Sequence, residues 1–405
     1  MLGLIPKNKP YYDLRDVYAA LKMWEKDSVA RFEHSMESFA HAKHALAFPY
    51  ARSAIWALVS LWNNHAERDE VIMPAYTCSV VANPIVIAGL RPVFVDIEIE
   101  TCNVYPKDVL KKITDKTRAI ILVHTHGTVM DIGAVVDNLP RKDILVIEDS
   151  ALCPKPVYKS NSYDNIVSLY SFDYTKIFSA VEGGIVTTDN ASLAERIAAF
   201  RKQNFSRPPF RTHMKNIAQF LTRLFLFNKI GYYFLDAARG GRGLQSLYDE
   251  RSLGGATLPF DFNTLLSAWQ ARLAVSQIAR ADEILRKRKE RATWYWQELK
   301  DAHPDIFPLS ANTVSYWSHY PVRIAGRDKK RIFEKMKAAG IEAGRTFNYM
   351  VPDLPAFKEY ADGNYPNTYR AASEMINLPN YPSISRKDAD AIMQTLKTIC
   401  ASTEK

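Results

Sequence analysis

The sequence predicts an α/β fold, with a large domain around a mostly parallel sheet and a smaller α/β domain at the C-terminus. Three observations predict it. Between Ala45 and about Phe200, short continuous apolar runs alternate with segments of helical spacing. Uninterrupted apolar strands between helices are what a sheet buried on both faces requires. From about Thr264, long helical segments give way to a second strand–helix pattern, and 405 residues suffice for two domains sharing a large core.

Residues 1–44 read as a polar helical segment with Trp24, Phe32 and Met36 as apolar anchors. Strands are expected at 71–73, 93–95, 119–123, 144–147, 167–170 and 185–187. Leu193, Ile197 and Phe200 then have helical spacing. An unusual stretch follows, from about 205 to 258, with an apolar, aromatic centre at 220–235 that Arg223, Asn228 and Lys229 interrupt. Those polar residues make it a poor membrane span. Arg239-Gly240-Gly241-Arg242-Gly243 behind it reads as a flexible hinge. In the last part, a strand from His319 to Ile324 precedes a helix from Lys329 to Ala339, stopped by Gly340. Ser385-Arg386-Lys387-Asp388 has the form of a capping box for the final helix. The domains expected are 1–44, 45–263 and 264–405.

Composition narrows the function classes. The four cysteines, Cys78, Cys102, Cys153 and Cys400, are far apart and lack CxxC spacing. That argues against a disulfide framework or zinc site and for a reducing compartment. The N-terminus has no long apolar signal core, so a cytoplasmic location is expected. The net charge of +9 is spread along helices, as in Arg286-Lys287-Arg288-Lys289, which reads as a solvated face and not a nucleic-acid stripe. It suits an anionic small substrate.

The chemistry is carried by an ordered set of residues. Glu148-Asp149 ends an apolar run, where ligands bind in parallel sheets. Ser171-Phe172-Asp173-Tyr174-Thr175-Lys176 and then Glu182-Gly183-Gly184 follow. A lysine amine that condenses with an aldehyde, and a carboxylate that keeps a pyridine nitrogen protonated, are the two groups pyridoxal 5'-phosphate (PLP) chemistry requires. This set resembles the DegT/DnrJ/StrS family of PLP-dependent sugar aminotransferases. The resemblance runs from about residue 45 to the C-terminus, with 205–258 as an insertion. It implies fold type I, with a sheet of seven-stranded type.

The resemblance also implies roles for single residues. Lys176 and Asp149 are the catalytic pair. Tyr50-Ala51-Arg52-Ser53 opens an amphipathic helix where the family has Gly-Thr, so Arg52 and Ser53 are expected at the cofactor phosphate, together with Ser171. Cys78 stands where the family has a ring-stacking aromatic residue, and Tyr76 is the alternative. Leu152 replaces a hydrogen-bonding residue near the ring, and Leu265 replaces an arginine. Asn263 matches an asparagine that reaches the phosphate of the neighbouring subunit, which implies a homodimer with shared sites. Tyr76, His124, Arg345 and Thr346 are the substrate candidates. His124 and His126 would share one strand face, but no carboxylate or cysteine cluster accompanies them, and no metal is expected.

The implied reaction moves an amino group, from glutamate by family analogy, to a nucleotide-linked keto-sugar for surface polysaccharide or glycoside biosynthesis. Two alternatives stand beside it. A sugar dehydratase of the same fold usually replaces the lysine, which Lys176 disfavours. A non-catalytic PLP-fold regulatory protein would fit the altered positions 78, 152, 265 and 346. The stretch 220–235 with Arg223, Lys229, Arg239 and Arg242 permits a peripheral membrane contact, against the plainer reading that it covers the active site or widens a dimer interface.

Overall fold

The structure, a computed structural model, describes residues 3–22, 25–62, 67–154, 158–159, 163–238, 240, 255–310 and 315–402. Its main feature is a seven-stranded sheet of β1 (His44–Phe48), β2 (Glu70–Pro74), β3 (Arg91–Val95), β4 (Thr117–Val123), β5 (Leu145–Asp149), β6 (Ile166–Ser171) and β7 (Gly184–Thr188). The spatial order is β1-β7-β6-β5-β4-β2-β3. Strands β2 to β6 pair in parallel, while β7 is antiparallel to both β1 and β6. The link from β6 to β7 contains no helix, so the chain folds back instead of crossing over. Every residue of β4 and β5 is buried, as their unbroken apolar runs foretold. Truncating one of them, as in Ile121→Ala, should cost about 2–5 kcal/mol. The sequence reading missed β1, whose two alanines carry little strand propensity.

Helices α1 (Leu14–Leu21) and α2 (Ser28–Ala40) precede the sheet. Helix α3 (Ala51–Leu61) follows β1, α4 (Ser79–Ile87) follows β2, and the short α5 (Pro106–Lys111) and α6 (Gly133–Val136) follow β3 and β4. Helix α7 (Ala191–Asn204) leads into a helical hairpin, α8 (Phe210–Leu226) and α9 (Lys229–Ala238), which occupies the unusual stretch. Helices α10 (Ala268–Ile278) and α11 (Ala281–Leu299) come next. A second sheet is antiparallel, in the order β10 (Met375–Leu378), β9 (Tyr320–Ile324), β8 (Ile306–Pro308). It shares a core with α11, α12 (Lys329–Ala338) and α14 (Arg386–Ala401) through Tyr295, Val322, Met336 and Leu396. Helix α13 (Pro366–Glu374) runs into β10. Gly340 at φ +78° ends the α12 turn as expected. Ser385 accepts the Asp388 N–H at 3.1 Å, but Asp388 is itself paired with Lys229, so the cap is not reciprocal.

The N-terminus ties these bodies together. Leu4 N–H donates to the Lys229 carbonyl (3.0 Å), Ile5 N–H to the Gly340 carbonyl (2.8 Å), and Glu342 N–H to the Ile5 carbonyl (2.9 Å). Lys337 adds an ion pair to Asp236 of α9 at 2.7 Å. The hairpin and the second sheet are thus held against one strap.

Candidate active site

Parallel sheets present their functional edge at the carboxyl ends of the strands. Here Val123, Asp149 and Ser171, the last residues of β4, β5 and β6, all border one cavity of about 250 Å³. Arg52, Cys78, Lys176 and Thr346 line the same cavity. Residues 120 positions and more apart therefore meet where the sequence placed the chemistry.

The loop carrying Lys176 is fixed by its own hydrogen bonds. Asp173 accepts from the Thr175 N–H (2.9 Å) and hydroxyl (2.6 Å), a local turn of the kind aspartate favours. Lys176 N–H returns to the Asp173 carbonyl at 2.9 Å, and Tyr174 N–H to the Val181 carbonyl at 2.9 Å. Val181 closes the loop at φ +70°, a strained conformation for a β-branched residue.

Asp149 is nearly fully buried, and its Oδ1 accepts the Ala151 N–H at 2.9 Å. Burial pushes its pKa up, against the pull of that N–H, Lys176 and His124. A carboxylate in this position is stabilised by a cationic partner. Glu148, one residue earlier, faces the other side of the strand, where His124 lies at 2.9 Å and Ser168 donates to it.

The start of α3 forms an anion cradle. Its N-cap residue, Tyr50, places no side-chain cap on the helix. The Tyr50 hydroxyl contacts Glu182 (2.7 Å) and Asp261 (2.7 Å) instead. The first-turn N–H groups are left for a ligand. Gly184 abuts this turn so closely that a Cβ would overlap the backbone of Tyr50 and Ala51. That is the physical reason for a glycine in the Glu182-Gly183-Gly184 sequence.

Several expected residues lie elsewhere. Ser53 donates its hydroxyl to the Phe262 carbonyl and does not line the cavity. Tyr76 is fully buried in the core behind the wall, leaving Cys78 as the residue that faces the cavity. His124 is wholly buried: the Met130 N–H donates to its Nδ1 (3.0 Å), so its proton sits on Nε2 and points at Glu148. It is a structural residue, and the substrate role is withdrawn. His126 does not share its face, because a left-handed residue at φ +57° breaks the strand alternation; it contacts His319 at 3.3 Å. Arg345 stacks on Phe333 at 4.6 Å, outside the cavity wall. Asn263 does not line it either.

The sequence reading missed much of the wall. Lys7 and Asn8 from the N-terminal strap, Phe227 and Tyr232 from the hairpin, His319 just before β9 and Asn377 of β10 all line the cavity. None carries a local signal; long-range packing places them. The hairpin covers the site. Arg223, one of the cations of the membrane alternative, is buried with its guanidinium 3.7 Å from the Tyr174 ring, and Lys229 is paired with Asp388. Arg239 and Arg242, with most of the expected hinge, lie outside the described residues.

A profile of the DegT/DnrJ/EryC1/StrS aminotransferase family matches residues 11–397. The chain belongs to this family. A member is a PLP-dependent aminotransferase of fold type I, and the cavity's donor set fits that cofactor: Lys176, Asp149, Ser171 and an uncapped helix start beside Gly184. Among relatives, the chain is 25% identical over 382 residues to the spore coat polysaccharide biosynthesis protein SpsC of Bacillus subtilis, covering 92% of this chain and 89% of that one. Its fold is similar to that of Helicobacter pylori PseC, an aminotransferase of pseudoaminic acid biosynthesis (TM-score 0.74, 21% identity, 98% and 99% of the two chains). It is equally similar to GDP-4-keto-6-deoxy-D-mannose-3-dehydratase of E. coli (TM-score 0.74, 18% identity, 98% and 100%).

Proposed function

We propose that this aminotransferase transfers an amino group from glutamate to a nucleotide-linked keto-sugar, supplying an amino sugar for surface polysaccharide or glycoside biosynthesis. The observation that carries the reading is Lys176 and Asp149 on one cavity at the strand ends. SpsC and PseC, named for spore coat polysaccharide and pseudoaminic acid biosynthesis, support the sugar acceptor. A homodimer in the cytoplasm, with Asn263 reaching the partner's phosphate site, completes the proposal. The four cysteines lie far apart without CxxC spacing, which favours a reducing compartment.

Bound at the cavity, PLP supplies an aldehyde for covalent capture of amines and a pyridinium ring that delocalises negative charge. Asp149 holds the proton on the ring nitrogen, and its burial strengthens that charge-assisted bond. Ser171 and the first-turn N–H groups of α3 bind the phosphate and fix the ring. The Lys176 amine, which would hold the cofactor, would also move the proton at the substrate α-carbon as general acid and base. Phe227, Tyr232 and Phe347 exclude water from this transfer. The fold similarity to a dehydratase leaves that chemistry as the second reading, and the retained Lys176 speaks against it.

The test begins with the purified protein and added PLP. Borohydride should fix the cofactor to Lys176, read as a mass increase on the peptide containing it. Glutamate should discharge the visible absorbance. Fixation elsewhere, or a Lys176→Ala variant that turns over normally, would refute the assignment. A band indifferent to every amino donor would leave the cofactor and remove the amino transfer.

A further inference from the structure

A surface helix normally buries its apolar stripe and exposes its polar face. Helix α8 departs from this, since Phe220 is the one apolar residue it fully buries. Thr212, Asn216 and Arg223 point inward, Thr212 bonding Asp261 at 3.0 Å and Arg223 lying on Tyr174. Phe210 (77% exposed), Met214, Ile217, Leu221 and Phe225 (64%) form a solvent-facing stripe at spacings of three and four residues. Helix α9 extends it with Ile230 (59%) and Phe234 (58%). Isolated exposed apolar residues are ordinary, but a continuous stripe across two helices marks a contact surface.

Charge says what covers it. Residues 196–235 hold eight Lys and Arg and no Asp or Glu. Five of the eight have inward or paired roles: Arg196 on Trp62, Arg201 with Glu33, Lys215 with Glu182 and Asp261, Arg223 on Tyr174, and Lys229 with Asp388. Lys202 on α7 remains exposed, as do Arg207 and Arg211 at the end of the hairpin where the stripe begins, Arg211 lying 4.0 Å from the half-exposed Phe260 ring. Asp236 of α9 is buried and paired with Lys337, so the exposed rim is cationic, and an apolar helical face with such a rim is the pattern of helices lying in the surface of an anionic bilayer. The same face set against its own copy about a two-fold axis would bring cations together without a counter-charge. Among the described residues no helix is long and apolar enough to cross a membrane, so the contact is peripheral.

We propose that the outer face of the α8–α9 hairpin docks this enzyme on an anionic phospholipid surface. The loop and first turn that join the two helices put Phe227 and Tyr232 into the cavity wall, so docking would hold the active site at the lipid surface. The docking is independent of the acceptor's identity, because its test reads vesicle binding and not turnover.

PLP-loaded protein is floated with vesicles of mixed phosphatidylglycerol and phosphatidylcholine, and with phosphatidylcholine alone. Binding to the mixed vesicles should be about tenfold tighter or more. Leu221→Ser with Phe225→Ser should weaken it about tenfold, and Arg207→Glu with Arg211→Glu by as much. PLP absorbance and glutamate discharge should stay unchanged in both variants, which separates a failure of docking from a failure of the amino-transfer reading. Absence of binding to mixed vesicles would overturn the proposal, as would variants that bind like the parent. A fall in oligomer mass of the Leu221/Phe225 variant, without vesicle binding by the parent, would assign the face to a second copy instead.

Discussion

Replacing Lys215 by methionine probes how the hairpin is built into the active site. The Lys215 Nζ lies 2.9 Å from Glu182, 2.9 Å from Asp261 and 2.8 Å from the Tyr50 hydroxyl. Both carboxylates are buried, and Tyr50 opens the phosphate-binding helix. A phenol has one proton, so Tyr50 donates to one of its two acids at a time. Burial raises the Glu182 pKa despite Lys215 and Tyr50. At Asp261 burial also acts upward, but Tyr50, Lys215 and Thr212 together outweigh it and hold the pKa down. Lys215 is therefore the cation that both buried acids share, and with Tyr50 and Thr212 it holds Asp261 below the usual carboxylate range. Gross attraction at 2.9 Å is about 6 kcal/mol at an effective dielectric of about 20. Part of this offsets desolvation, and Lys215 is 28% exposed, so the expected loss is about 3 kcal/mol, the lower end for breaking a buried pair. Urea unfolding at fixed protein and PLP concentration should show the midpoint fall by about 1 M for a slope near 3 kcal/mol/M. Adding Glu182→Gln to Lys215→Met should recover part of the loss, because one fewer buried carboxylate then lacks a cation. A Lys215→Met midpoint within about 0.2 M of the parent would refute the reasoning, since it would mean the two acids do not need the hairpin.

Other outcomes follow from the same geometry. Gly184→Ala should weaken PLP binding about tenfold or more, measured by absorbance titration, because the added Cβ displaces the α3 start. Tyr232→Ser should raise the KM for the acceptor while PLP loading holds, since Tyr232 lines the cavity from the hairpin. Burial, with Lys329 adding to it, depresses the His126 pKa to about 3. Its neighbours His319 and Tyr76 bring no negative charge, and burial depresses the His319 pKa as well. The unfolded chain takes up a proton below about pH 6.5 that the native chain refuses, so stability falls as pH drops from 6.5 toward 3. From His126 alone the loss should reach about 2 kcal/mol by pH 5, and His126→Gln should flatten the pH profile of urea midpoints by that amount.

What the sequence made legible, and what it hid, divides along physical lines. The strands of the parallel core were readable because burial on both faces forces an unbroken apolar run, as in Ala119-Ile120-Ile121-Leu122-Val123. Asp149 was readable because it ends β5, where the cavity must be, and Lys176 because it stands on the loop after β6 in an ordered set with Asp149 and Glu182-Gly183-Gly184. Ser53 was placed on the right helix and the wrong side of it: one residue is 100° of rotation, and Arg52 faces the cavity while Ser53 faces Phe262. The expectation that His124 and His126 share one face failed because alternation was carried past the last residue of β4 into a turn where His126 is left-handed. The strand β1 was hidden by small residues whose burial comes from β7 pairing and not from their own hydrophobicity.

The hairpin shows why the remaining wall had no local signature. Its 220–235 stretch reads as apolar, and an apolar helix is expected to point its apolar side inward. In the fold the inward side is decided by what waits there: Glu182 and Asp261 take Lys215, the Tyr174 ring takes Arg223, and Glu342 takes the Tyr232 hydroxyl. These partners are 33 to 110 residues away from the groups they bind, so no window along the chain contains both. Once the polar groups are drawn inward, the helix period sends Phe210, Leu221 and Phe225 outward. The exposed apolar stripe is therefore a consequence of building the active-site wall from polar contacts, and the acid-free rim beside it gives that stripe an anionic surface to meet.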